Sequence, residues 1–190
     1  MITKNNFHML ENPVKDFVNN IEKKLYISIQ DKTNNVTPKL EKILNAFYDS
    51  HLNVQHFSSL TGYGHGDFGR DTIDQIFADI LEAEKAAVRL QLVSGTHAIA
   101  SSLFGVLRPG DNFLSITGRP YESLEEVIGL RGSDHGSLID FGISYDEIPL
   151  KENGKIDFKA LEKALNIPRK LIFIQRSCGY TWRPSLSIEV

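Results

Sequence analysis

From Val88 onward the chain alternates between two hydrophobic periods, and that alternation narrows its fold more than any other feature. Short apolar runs of strand length fall at 88–93, 112–117, 143–149 and 170–175. Between and after the first of them, apolar residues recur at helical spacing over 97–107, 121–130 and 157–166. A parallel strand pair needs a connection long enough to cross the sheet, and a helix is the usual one. The alternation therefore predicts an α/β domain: a mostly parallel sheet with flanking helices and right-handed crossovers.

The region before it reads differently. Residues 13–30 and 37–50 predict two N-terminal helices. Val14, Phe17, Val18, Ile21 and Leu25 lie at helical spacing in the first; Pro38 opens the second after Thr37, with Leu40, Ile43, Leu44 and Phe47 on one face. Residues 31–35 read as a polar loop between them. The glycine-rich stretch Gly62–Gly69 leads into a further helix striped by Ile73, Ile76, Phe77, Ile80 and Leu81, where Thr72 and Gln75 hold capping-box positions. We expect a helical segment over 1–60 and the α/β domain over 61–190.

Chemistry concentrates where the first strand-like run meets a helix. Val88–Val93 passes through Ser94-Gly95-Thr96 into the helix-patterned segment that includes His97. A helix start aims several backbone N–H groups at one spot and favours an anion there. Gly95 lets a ligand approach the backbone, and the Ser94 and Thr96 hydroxyls can donate to phosphate oxygens. The same three residues also serve as an ordinary loop and cap, so the turn alone does not decide between the two. At a helix start the dipole disfavours a charged His97, which receives no catalytic role.

Five stretches add specificity: GYGHGDFGRDTIDQIFADILEAEKA from Gly62, VSGTHAI from Val93, RPGD from Arg108, GRPYESLEEVIG from Gly118 and QRSCGYTWRPSL from Gln175. In this order they resemble the aluminium-resistance, or methionine gamma-lyase-like, branch of the fold type I enzymes that use pyridoxal 5'-phosphate. The likeness covers most of 55–189. It implies that 61–190 is an incomplete part of a cofactor-binding large domain. It also implies that Ser94, Gly95 and Thr96 cradle the cofactor phosphate and that the Tyr121 ring stacks on the pyridine ring. Tyr63 and His65 match positions that reach a neighbouring subunit's phosphate. His65 departs from the family's arginine there, offering one hydrogen bond in place of a charged fork. Arg70 lies close enough in sequence to substitute.

For the substrate, Arg176 and Tyr180 follow the last strand-like run, at the edge where ligands gather in such sheets. Arg119 and Arg183 can likewise fork onto a carboxylate, although each of these arginines would serve equally well in a surface ion pair. The family also needs an acidic residue facing the pyridine nitrogen and a Schiff-base lysine. Both are expected beyond Val190, because Lys85, Lys159, Lys163 and Lys170 fall on helix faces or at a strand start. No catalytic residue is assigned within the chain. Ser187 to Val190 reads as a first helical turn, so the chain is expected to be the front of a longer protein and inactive by itself.

The parent activity implied is carbon–sulfur bond cleavage in a small sulfur-containing amino acid, in a homo-oligomer (dimer or tetramer). Another pyridoxal-phosphate reaction on the same fold (aldol cleavage or transamination) and a non-catalytic remnant or interaction module stay open beside it. Composition excludes other classes. A net charge of −3 gives no electrostatic attraction to nucleic acid or anionic membranes. A single cysteine, Cys178, excludes an internal disulfide and a cysteine metal cluster, and no metal site is expected. The first residues hold no signal-peptide core and no later run reaches membrane length, so a cytoplasmic protein is expected.

Overall fold

The computed structural model describes residues 12–58, 66–132 and 135–188. The chain divides into two compact units, one ending at Arg89 and the other beginning at Leu90.

In the first unit, α1 (Asn12–Asp49) is a single helix of 38 residues. Two helices with a loop at 31–35 were expected, and the loop does not form. Hydroxyls inside a helix can bond carbonyls one turn back, and they do so here: Thr33 Oγ1 donates to Ile29 O at 2.9 Å and Thr37 Oγ1 to Thr33 O at 3.0 Å. With those polar groups satisfied, the helix continues through Pro38, whose ring removes one backbone donor. The α1 apolar positions Phe17, Leu25 and Leu40 are exposed, and Ala46 is buried.

The second helix, α2 (Phe68–Leu81), starts earlier than the sequence suggests because Asp67 caps it, accepting from Arg70 N at 3.0 Å. The expected Thr72–Gln75 capping box is therefore displaced: Thr72 lies inside the helix, and Gln75 Nε2 donates forward to Asp79 Oδ1 at 2.7 Å. Gly69 is required by close approach, since a Cβ there would sit 2.4 Å from the His56 carbonyl oxygen. Beside it the His56 and Phe68 rings stack at 4.1 Å. Asp74 Oδ1 ties the end of the unit, accepting from Val88 N at 2.7 Å and Arg89 Nη1 at 2.6 Å. Those bonds, led by that from Arg89, hold the Asp74 carboxyl below its ordinary value.

The second unit follows the predicted alternation: α3 (Gly95–Val106), β1 (Asn112–Ser115), α4 (Glu122–Ile128), β2 (Ser144–Glu147), α5 (Phe158–Ala164) and β3 (Leu171–Phe173). Its sheet is parallel throughout, in the order β2-β1-β3, with Phe113 opposite both Tyr145 and Leu171. Successive β1 side chains point to opposite faces. Phe113 joins Leu103, Leu107, Ile128, Leu138 and Ile143 on one face, and Leu114 joins Ile116, Ile148 and Ile156 on the other. Gly129 ends α4 at φ +100°, where a Cβ would also fall 2.5 Å from Ser137 Oγ.

The strand expected at 88–93 does not form. Leu90 and Gln91 make a turn, and Leu90 and Val93 are exposed. A strand exists only with a ladder partner, and 88–93 pairs with none of β1, β2 and β3, while the Val88 N–H is committed to Asp74. Ser187 lies outside regular structure, and 189–190, where its expected helical turn would continue, fall outside the described residues. Among the described residues, no helix is long and apolar enough to cross a membrane.

Candidate functional site

The carboxyl end of β1 is laced to those of β3 and β2 beyond its own last ladder residue. Ile116 N donates to Phe173 O at 3.1 Å, and Gly118 N donates to Ile148 O at 2.8 Å. Buried Ser115 closes the turn by donating from Oγ to Gly118 O at 2.6 Å. One step further on, buried Thr117 Oγ1 accepts from Gln175 N at 2.9 Å. The Gln175 side chain then reaches across: Oε1 accepts from Tyr121 N at 3.2 Å and Nε2 donates to Ser177 O at 3.3 Å.

The start of α3 belongs to the same unit. Ser94 is its cap, with Oγ accepting from His97 N at 3.1 Å and its carbonyl from Ala98 N at 3.1 Å. This cap uses an oxygen lone pair, which leaves the hydroxyl hydrogen to be donated elsewhere. His97 thus joins the cap through its backbone N–H. Around Gly95 there is open space: a Cβ added there meets nothing within 4 Å. Thr96 Oγ1 lies 2.8 Å from Ser123 Oγ, which brings the first turns of α3 and α4 side by side. Tyr121, the residue before α4, has no side-chain cap bond of its own. The Thr96–Ser123 contact thus ties the Ser94–Gly95–Thr96 turn to the helix that Tyr121 precedes.

A cavity of about 390 Å³ opens elsewhere, between α3 and β3, and its lining is apolar. The one at the carboxyl edge has about 320 Å³ and is lined by Arg119, Tyr121, Gln175, Cys178, Tyr180 and Arg183, among others. Tyr180 stands fully exposed at its rim. Three guanidinium groups differ in what they can still do. Arg119 Nε donates to Glu125 Oε1 at 2.7 Å, so a substrate carboxylate would have to compete with Glu125. Arg183 spends both terminal nitrogens on carbonyls, of Gln175 at 3.1 Å, Ser177 at 2.5 Å and Pro184 at 3.1 Å. Arg176 Nε donates to Leu186 O at 3.1 Å, and Arg176 does not line the cavity. Tyr63 and His65 fall outside the described residues.

Sequence reasoning missed Thr117, Gln175 and Ser123. The signal for Gln175 is faint: a lone polar residue closes the apolar run that begins at Leu171. Ser123 and Thr117 carry none, because a single hydroxyl in a loop has no pattern until its partner is located.

A helix of 12 residues presents its start, a glycine with empty space over its Cβ position stands there, and Tyr121 lines the cavity at the carboxyl edge. A phosphate with an attached flat ring matches those features.

Comparison with known proteins is consistent with that capacity. The family model for methionine gamma-lyase matches residues 14–190. A Listeria innocua protein of solved structure, provisionally named a cystathionine beta-lyase involved in aluminum resistance, is 44% identical over 95% of this chain, with a TM-score of 0.86. A carbon-sulfur lyase involved in aluminum resistance from Clostridium novyi NT is 38% identical over 95% of the chain, with a TM-score of 0.76. The Bacillus subtilis (strain 168) protein YnbB, itself uncharacterized, is 49% identical over 149 residues, or 78% of the chain. The matched stretch is 44% of the Listeria innocua chain, 46% of the Clostridium novyi chain and 35% of YnbB, so the chain spans less than half the length of these relatives.

Proposed function

The chain belongs to the methionine gamma-lyase family, and from that premise we propose that it forms the phosphate-binding and ring-supporting part of a pyridoxal 5'-phosphate-dependent carbon–sulfur lyase. Its substrate is a small sulfur-containing amino acid. The observation that carries the reading is the empty space over Gly95 at the start of α3, next to a Thr96 held against Ser123 of the helix that Tyr121 precedes. In such enzymes the cofactor draws electrons away from the substrate Cα, so that a proton can leave there and a thiol can be eliminated.

The chain's own residues hold and shield. Backbone N–H groups at Gly95 and Thr96, with the Ser94 hydroxyl, would donate to the phosphate, and the α3 dipole would favour its charge. The Tyr121 ring would cover one face of the pyridine and exclude water from it. Thr96 is held against Ser123, so its hydroxyl orients the cradle as much as it donates. Tyr180 and Arg119 stand where a substrate would enter, with Arg119 released from Glu125 to meet a carboxylate. Arg176 is the weakest substrate-binding candidate, because Leu186 already holds it. Tyr63 and His65 would serve the phosphate of a neighbouring subunit in a homo-oligomer. The group that moves the Cα proton is not assigned in this chain.

The test is to supply the full-length protein with pyridoxal 5'-phosphate and record its visible absorption. L-Cystathionine and L-methionine are then added, with keto acid and released thiol measured. A cofactor band and both products are expected. Absence of any band after reconstitution overturns the reading.

A further inference from the structure

Tyr121 lacks a side-chain cap bond, follows Pro120, and opens a helix of only seven residues. Its N–H is held instead from the sheet, by Gln175 Oε1 at 3.2 Å. Gln175 is itself fixed at three points. Its backbone N donates to the hydroxyl of Thr117, which is 5% exposed; its Nε2 donates to Ser177 O; and its Oε1 takes the Tyr121 N–H. The two side-chain partners also settle which way the amide faces, since only oxygen can accept from Tyr121 and only nitrogen can donate to Ser177. An amide pinned in this way cannot swing, so the start of α4 stands at a set distance from the end of β3. With the backbone of Tyr121 at φ −68° and ψ 157°, only the side-chain torsions remain to place its ring.

We propose that Gln175 is a positioning residue for the Tyr121 ring: it fixes the backbone from which that ring covers the cofactor. The proposal rests on the cofactor reading above and extends it to a residue that touches Tyr121. Glutamate at 175 keeps an acceptor for the Tyr121 N–H but loses the donor to Ser177. Methionine, of similar length, loses both. If Gln175 only stabilised the fold, the dichroism per bound cofactor would be the same in both variants and only the unfolding midpoint would fall. The positioning role separates them.

The experiment compares wild type, Gln175→Met and Gln175→Glu in the full-length protein reconstituted with pyridoxal 5'-phosphate. It reads the visible circular dichroism per bound cofactor, the cofactor dissociation constant and the unfolding midpoint. Gln175→Met is expected to lose most of the dichroism and to bind the cofactor about fivefold more weakly, as one hydrogen bond implies. Gln175→Glu is expected to keep the dichroism, with an unfolding midpoint lowered less than in Gln175→Met, since it gives up one bond and Gln175→Met gives up two. If Gln175→Met does not fold, Gln175→Glu still decides: retained dichroism with a lowered midpoint supports the role, and lost dichroism overturns it. Equal dichroism in all three proteins overturns the positioning role alone. A wild type without any cofactor band overturns the cofactor reading, and this proposal with it.

Discussion

The two ends of the parallel sheet use similar side-chain chemistry for opposite purposes. Near the amino ends, Arg169, with a side chain only 5% exposed, donates from Nη1 to both Asn112 Oδ1 and Asp146 Oδ2. Its Nε donates to Ala164 O at 3.3 Å, and Asn112 Nδ2 donates to Ser144 Oγ at 3.0 Å. These bonds lock β1, β2 and the approach to β3 together and turn inward. At the carboxyl ends, by contrast, Thr117, Gln175, Thr96 and Ser123 join the elements while the Gly95 backbone and the Tyr180 ring stay open to solvent. One end is closed on itself and should be read in stability. The other is braced but open and should be read in binding.

The largest effect expected is at the closed end. Arg169→Met removes a cation bonded to Asn112 and to the half-exposed Asp146, and should cost about 2 kcal/mol of stability in denaturant unfolding. Per folded molecule, cofactor binding should be unchanged. A loss of binding without a loss of stability would erase the contrast between the two ends.

At the open end the signs reverse. Ser94→Ala combined with Thr96→Ala should weaken retention of pyridoxal 5'-phosphate on dialysis about tenfold, since two donors to a charged group are lost. Loss of the Ser94 cap should lower stability by about 1 kcal/mol. His97→Ala should matter less to retention, because the Ser94 cap bond uses the His97 backbone.

Acid sharpens the comparison further. The hydrogen bond from Arg169 holds the Asp146 carboxyl below its ordinary value. A carboxylate depressed in the folded state stabilises fully above its unfolded value of about 4, and that stability is lost as pH falls through the folded value. The wild type should therefore lose stability below about pH 4 more steeply than Asp146→Asn in unfolding curves taken across that range. Identical slopes would show that the pair contributes nothing. Smallest of all, Tyr180→Ala should leave the unfolding midpoint unchanged within about 0.5 kcal/mol, because its side chain is fully exposed. Any effect should appear in the KM for substrate.

How far these ends were legible beforehand follows from the range of the forces involved. Alternating periods at 112–117, 143–149 and 170–175 are local, so β1, β2 and β3 were each foreseen together with their parallel sense. The run at 88–93 has the same local pattern and still fails as a strand, because pairing depends on distant partners and only β1, β2 and β3 pair among the described residues. The split of α1 was misjudged for a related reason: polar Asp31–Asn35 looks like a loop, but the hydroxyl of Thr33 reaches a carbonyl one turn back. At the site, Ser94, Gly95, Thr96 and Tyr121 were visible as motif residues. The braces between them, Thr96 to Ser123 and Tyr121 to Gln175, join residues 27 and 54 positions apart and leave no trace in local sequence.

The central claim, that the start of α3 faces a phosphate, rests on a glycine for which the chain's own packing gives no reason. Neither Gly95 nor Gly105, both in α3, would place an added Cβ within 4 Å of any other group. Replacing either with alanine should leave stability unchanged or raise it by up to about 1 kcal/mol. The decisive measurement is the dissociation constant for pyridoxal 5'-phosphate of Gly95→Ala against Gly105→Ala in the full-length protein. Weakened binding in Gly95→Ala alone, with both variants as stable as wild type, is the predicted result. Equal binding in the two variants would contradict the claim.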